Sequence, residues 1–243
     1  MTEDAREEIL KRIKKGLYGS SHKPSEERAS LAQLDKEVID KKLIEIKSRV
    51  CEKRSELVER LKAEITNIRG FVEVIKNIEE VHVFLIKLIN KYGIKSAAVW
   101  DSDFINELRV SQFLKTQGVK VLKKEVEDMR SADIGITGVD FAVAESGTLV
   151  LLTDGKKLRS ASLLPPIHVA IMKPDDVVLE NLEDFFTIIR QSFLNATSST
   201  DFTSCFTFIT GPSRTADIEL SLTLGVHGPR ELYVLVASLP GLI

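Results

Sequence analysis

Five short runs of small and β-branched residues constrain the fold of this chain more than any other feature. They are SAAVW at 96–100, VKVL at 119–122, HVAIM at 168–172, FTFIT at 206–210 and ELYVLVA at 231–237. A longer stretch, ADIGITGVDFAVAESGTLVLLT at 132–153, has the same texture and reads as strands around tight turns. Short, nearly continuous apolar runs suit strands buried on both faces. Helical patterns separate them. DSDFINELRVSQFLKTQG at 101–118 predicts a helix with Asp101 to Asp103 near its start and Gly118 at its end. NLEDFFTIIRQSFL at 181–194 predicts an amphipathic helix, TSSTDFTS at 197–204 a polar loop, and the span from Thr215 to Leu224 a further helix. The expected class is α/β, with a mostly parallel sheet, helices on both faces and a closing β–α–β unit.

Before residue 95 the texture is helical, which predicts an N-terminal helical region over 1–94 and an α/β domain over 95–243. Residues 3–15 place Ile9, Leu10 and Ile13 on one face, and GLYGSSHKPSEE at 16–27 reads as a linker. From Leu31 to Ile68 the apolar residues Leu43, Ile46, Val50, Leu57, Leu61 and Ile65 recur at steps of mostly three or four. Gly70 interrupts the pattern, and a second helix is predicted through Val72, Ile75, Ile78, Val83, Ile86 and Leu88 to Gly93. Two roles remain open for these helices: a cap on the core, or a homo-oligomer contact.

Composition narrows the function classes. The net charge of −2 and pI near 6.2 give no global attraction to nucleic acid or anionic membranes. No apolar run approaches the ~20 residues that span a bilayer, and MTEDAREEILKRIKKG lacks the apolar core of a secretory signal. The expectation is a cytoplasmic protein. Its two cysteines, Cys51 and Cys205, are too few for the four thiolates of an iron–sulfur cluster, and no CxxC pair offers a zinc site. No cofactor and no metal are expected.

The common phosphate, dinucleotide and hydrolase fingerprints are absent: GITG at 135–138 lacks the GxGxxG spacing, and there is no GxxxxGK[ST], HExxH or GxSxG. Three polar segments remain. In TGVDFAVAESGTLVLLT, Glu145 stands at a Gly-containing turn as a candidate nucleophile or general acid/base, with Asp140 as a candidate partner. Both carboxylates equally suit the capping of turn amides. In SASLLPPIHVAIM two prolines precede a buried strand that starts at His168, either a ligand-binding group or a hydrogen-bonded core residue. In TGPSRTADIE, Gly211 and Pro212 turn the chain. Ser213 or Thr215 can cap the predicted helix, and Asp217 suits its first turn. Capping does not explain Arg214. A cation beside free helix amides suits phosphate or carboxylate, and GVHGPR adds His227 and Arg230.

Taken in order, GITGVDFAVAESGTLVL, SLLPPIHVAI and ITGPSRTADIELSLTLGVHGPRELYVLV resemble the LUD domain, in particular the lactate-utilization protein C family, over about residues 95–243. The resemblance implies a fold like that of the CoA transferases and ribose-5-phosphate isomerase. It also implies a role as accessory subunit of an L-lactate-oxidising system whose iron–sulfur centres sit in partner proteins. The candidate site for a small anionic ligand comprises Thr137, Asp140, Ser146, Gly147, Thr148, His168, Gly211, Ser213, Arg214, Thr215, Asp217 and His227, and the motif residues that the resemblance implies include all of these but Thr137 and Ser146. AESG at 144–147 echoes the glutamate turn of the CoA transferases, which leaves a second reading: a stand-alone transferase-like or isomerase-like enzyme using Glu145.

Overall fold

The computed structural model describes residues 26–122, 129–153, 157–173, 178–195, 205–216 and 222–238. The chain divides into two compact units, Met1–Lys42 and Leu43–Ile243. The described part of the first is helical, and belongs to helix α1, Glu26–Glu52. The predicted helix at 3–15 and the linker after it lie outside the described residues.

Within the second unit, the all-parallel main sheet has six strands. They are β1 (Phe71–Ile75), β2 (Ser96–Val99), β3 (Lys120–Val121), β4 (Ile134–Gly138), β7 (Ile167–Met172) and β12 (Glu231–Ala237), in the order β1-β12-β7-β4-β2-β3. A second sheet, ordered β8-β5-β6-β9, contains β5 (Phe141–Val143), β6 (Thr148–Thr153), β8 (Val178–Leu179) and β9 (Cys205–Ile209).

Side-chain alternation builds the layers. Along β7, Ile167, Val169 and Ile171 join one core with Tyr233 and Leu235 of β12. Helices α3 (Ile78–Tyr92), α4 (Asp103–Glu107) and α5 (Val110–Thr116) cover that face, through residues such as Leu85, Ile105 and Leu114. The intervening Ala170 and Met172, with Leu232, Val234 and Val236, form the opposite core. It is closed by Leu57, Leu61 and Ile65 of α2 (Arg54–Asn67) and by Ala142 and Leu149 of the second sheet. Short helix α6 (Ser160–Leu163) packs on β4 and β7, with Ala161 in a separate cluster that includes Ala98, Trp100 and Leu151. A Cβ on Gly135 of β4 would lie 1.8 Å from the Ala161 carbonyl oxygen, so only glycine admits this approach. The far face of the second sheet is closed by α7 (Leu182–Asn195), whose Phe185 packs on Val143, Val150 and Leu179.

The parallel sheet with helices on both faces is as expected from the apolar runs. Three local expectations are corrected. Residues 71–75 form strand β1, paired with β12, rather than the start of a helix. The helix begins at Ile78, where the Asn77 side chain accepts the Glu80 amide and Glu80 accepts the Lys76 amide. The single helix predicted over 101–118 is two, separated by Arg109 in the left-handed region at φ 53°. No helix starts at Thr215: the described ends of the predicted helix are strands, β10 (Arg214–Ala216) pairing antiparallel with β11 (Leu222–Leu224). The alternation in LSLTL at 220–224 is a strand signal, which the stronger turn and capping pattern masked. The polar loop at 197–204 lies outside the described residues.

Candidate functional site

The end of β9, the start of β7 and the loops around β10 and β11 enclose a cleft of about 300 Å³. Its walls include Ser162, His168, Thr210, Ser213, Arg214 and His227. Backbone hydrogen bonds fix the loops. Ser213 N–H donates to the Pro229 carbonyl at 2.8 Å, Gly225 N–H to the Ser213 carbonyl at 3.0 Å, and Arg230 N–H to the Pro166 carbonyl at 2.8 Å. Pro166 therefore ties the loop before β12 to the start of β7, directly beside His168.

His168 is fully buried. Its Nε2 lies 2.9 Å from the Thr137 hydroxyl on neighbouring β4, while Nδ1 has no partner. Burial pushes its pKa down to about 3, so the ring is neutral at ordinary pH. A buried polar atom left unpaired costs about 1–3 kcal/mol, and such an atom in a cleft wall calls for a functional account.

Arg214 is exposed, and its guanidinium donates to the Ile68 carbonyl at the C-terminus of α2. This replaces the expected setting. Among the described residues no helix N-terminus lies beside Arg214; the arginine instead satisfies a helix C-terminal carbonyl, a favourable place for a cation. It still lines the cleft, as do Gly211 and the exposed His227.

A chain of hydroxyls links the cleft to the 144–147 turn. Ser146 Oγ lies 2.7 Å from Thr148 Oγ1, which lies 2.8 Å from Thr210 Oγ1. Gly147 holds that turn at φ 64°, where an added Cβ would sit 2.8 Å from the Ile65 backbone nitrogen of α2. Glu145 does not line the cleft. It is exposed, and its Oε1 accepts the Leu182 amide at 3.0 Å, serving the first turn of α7. Asp140 stands in a different cleft, of about 360 Å³, at the carboxyl ends of β2 and β4 with Trp100 and Lys157. There it accepts Lys157 Nζ and the Leu152 amide, both at 2.7 Å. Thr215 lies on β10, and Asp217 lies outside the described residues.

The fold thus gathers His168, Gly211, Ser213, Arg214 and His227, reaches Thr137, Thr148 and Ser146 behind them, and leaves Glu145 and Asp140 elsewhere. Thr210 and Ser162 line the cleft without having been singled out in the sequence. The hydroxyl ending FTFIT just before Gly211 was the available signal for the first; a lone serine in a four-residue helix gives none. Among the described residues, no group of three or more His, Cys, Asp or Glu is placed to hold a metal ion. No described helix is long and apolar enough to cross a membrane.

This topology and these motifs define an α/β protein of the LUD class: the LUD domain matches residues 58–237, and the chain belongs to that family. Curated relatives carry the name Lactate utilization protein C. The one from Halalkalibacterium halodurans is 34% identical over 187 residues, covering 74% of this chain and 79% of its own. That from Shouchella clausii is 35% identical over 189 residues, covering 75% and 80%. That from Bacillus subtilis is 36% identical over 151 residues, covering 61% and 58%. A crystal structure of a DUF162 family protein from Deinococcus radiodurans shares the fold, with a TM-score of 0.52 at 19% identity. It covers 76% of this chain and 98% of that one.

Proposed function

We propose that this chain serves lactate utilization as an accessory subunit, binding a small anionic ligand in the cleft around His168 and Arg214. The names of its relatives support the pathway. The observation that carries the ligand class is the pairing of a cation at the rim, Arg214, with an unpartnered buried imidazole nitrogen in the wall. An anion entering there meets a fixed positive charge and neutral polar atoms, with no carboxylate among the described residues that line the cleft. The chain has two cysteines, both free, so electron transfer through iron–sulfur centres falls to partner proteins.

Two measurements test this. Calorimetric titration with L-lactate, pyruvate and acetate should show saturable binding that weakens at least tenfold in Arg214→Ala. Affinity capture of the tagged protein from its native cells should bring down an iron–sulfur protein. Saturation by none of the three anions would end the ligand assignment, and capture without an iron–sulfur partner would end the subunit assignment.

A further inference from the structure

We infer that Thr137 is a positioning residue which holds His168 in the Nδ1–H form, making the cleft wall a neutral hydrogen-bond donor for an oxygen of the bound anion. This rests on the reading of the cleft given above and adds the chemistry by which its buried part recognises a ligand.

Counting hydrogen-bond partners decides the tautomer. The imidazole and the Thr137 hydroxyl share one contact, between Nε2 and Oγ1 at 2.9 Å. Suppose Nε2 carries the hydrogen. It then donates to Oγ1, the threonine's own O–H is left without an acceptor, and Nδ1 is left as an unpaired acceptor. Two buried groups go unsatisfied. Suppose instead that Thr137 donates to Nε2. The hydroxyl hydrogen is used, Nε2 is satisfied as an acceptor, and the single remaining orphan is an Nδ1–H. The second arrangement leaves one unsatisfied group rather than two, and unpaired buried groups are what folded proteins avoid.

That orphan belongs to a residue that lines the cleft. An N–H donor matches a carboxylate or carbonyl oxygen and rejects a cation or a ligand N–H. Because burial keeps the ring neutral far below physiological pH, the donor is present without a positive charge. Charge recognition is then left to the rim, and the buried contact is directional. Thr137 touches no ligand itself and acts through His168.

The test uses the full chain labelled with 15N and two variants, Thr137→Val and Thr137→Ser. Long-range 1H–15N spectra separate the tautomers by the ring-nitrogen shifts, and assignment among the four histidines comes from the spectrum of His168→Gln. In the ligand-free protein His168 should appear as Nδ1–H. Thr137→Val should move it to the Nε2–H form and weaken L-lactate and pyruvate binding about tenfold, and Thr137→Ser should restore both. An Nε2–H signal in the unmodified protein overturns the inference, as does equal binding by the valine and serine variants. If the unmodified protein saturates with neither anion, the ligand half falls together with the anion-binding reading. The tautomer spectra, recorded without ligand, still decide the Thr137 half separately.

Discussion

At the scale of single residues, His168 makes the strongest commitment. Its folded-state pKa is about 3, against about 6.5 for the unfolded chain. Between those values the unfolded state binds more protons, so stability falls as pH falls. The loss begins below about 6.5, runs at about 1.4 kcal/mol per pH unit, and is complete near 3. Urea unfolding at pH 7 and pH 5 should show the unmodified protein losing about 2 kcal/mol more than His168→Gln. Equal losses would mean that the ring is already charged in the native state. The sequence placed His168 at the head of a strand behind two prolines, and that much was legible. Its partner was not. Thr137 is 31 positions away in sequence and meets the ring only because β4 and β7 lie side by side. Arg214 was legible as an arginine that capping did not explain, but its anchor at Ile68 depends on the end of a distant helix.

At the scale of elements, Glu145 shows how one carboxylate supports two readings until its neighbour is known. The turn at 144–147 places it at the first amide of α7, where Asn181 also accepts the Asp184 amide at 2.9 Å. Glu145→Ala should lower stability by about 1 kcal/mol in urea unfolding, whereas Glu145→Gln keeps an oxygen acceptor and should cost only a few tenths. If Glu145→Gln is as stable as the unmodified chain yet abolishes lactate-dependent growth of a complemented deletion strain, the carboxylate has a chemical role beyond the cap. The elements hardest to read were those with mixed signals. FVEVI at 71–75 continues the three-residue spacing of the helices around it while carrying β-branched residues, and only its place beside β12 decides. TADIELSLTL shows turn formers and acidic residues at one end and strand alternation at the other; pairing of Thr215 with Thr223 settles that strands bound it.

At the scale of the whole molecule, the apolar runs foretold a parallel sheet but not its split. Nothing in FTFIT or TLVLLT says that β9 and β6 pair in a separate sheet rather than in the main one, because strands of both sheets draw on the same β-branched and apolar residues. The strand order carries a further consequence, for the making of the protein. The last described strand, β12, lies between the first, β1, and β7. A chain ending at Pro229 would leave β1 without a neighbour and the apolar Ala170 and Met172 short of partners. It should show no cooperative thermal transition, whereas a cooperative melt like that of the full chain would refute the point. On the ribosome, therefore, β1 emerges early and waits. The chain between Ile75 and Glu231 must be synthesised before the strand that joins β1 to β7 arrives, and until then the apolar edge of β7 is open to non-native contacts.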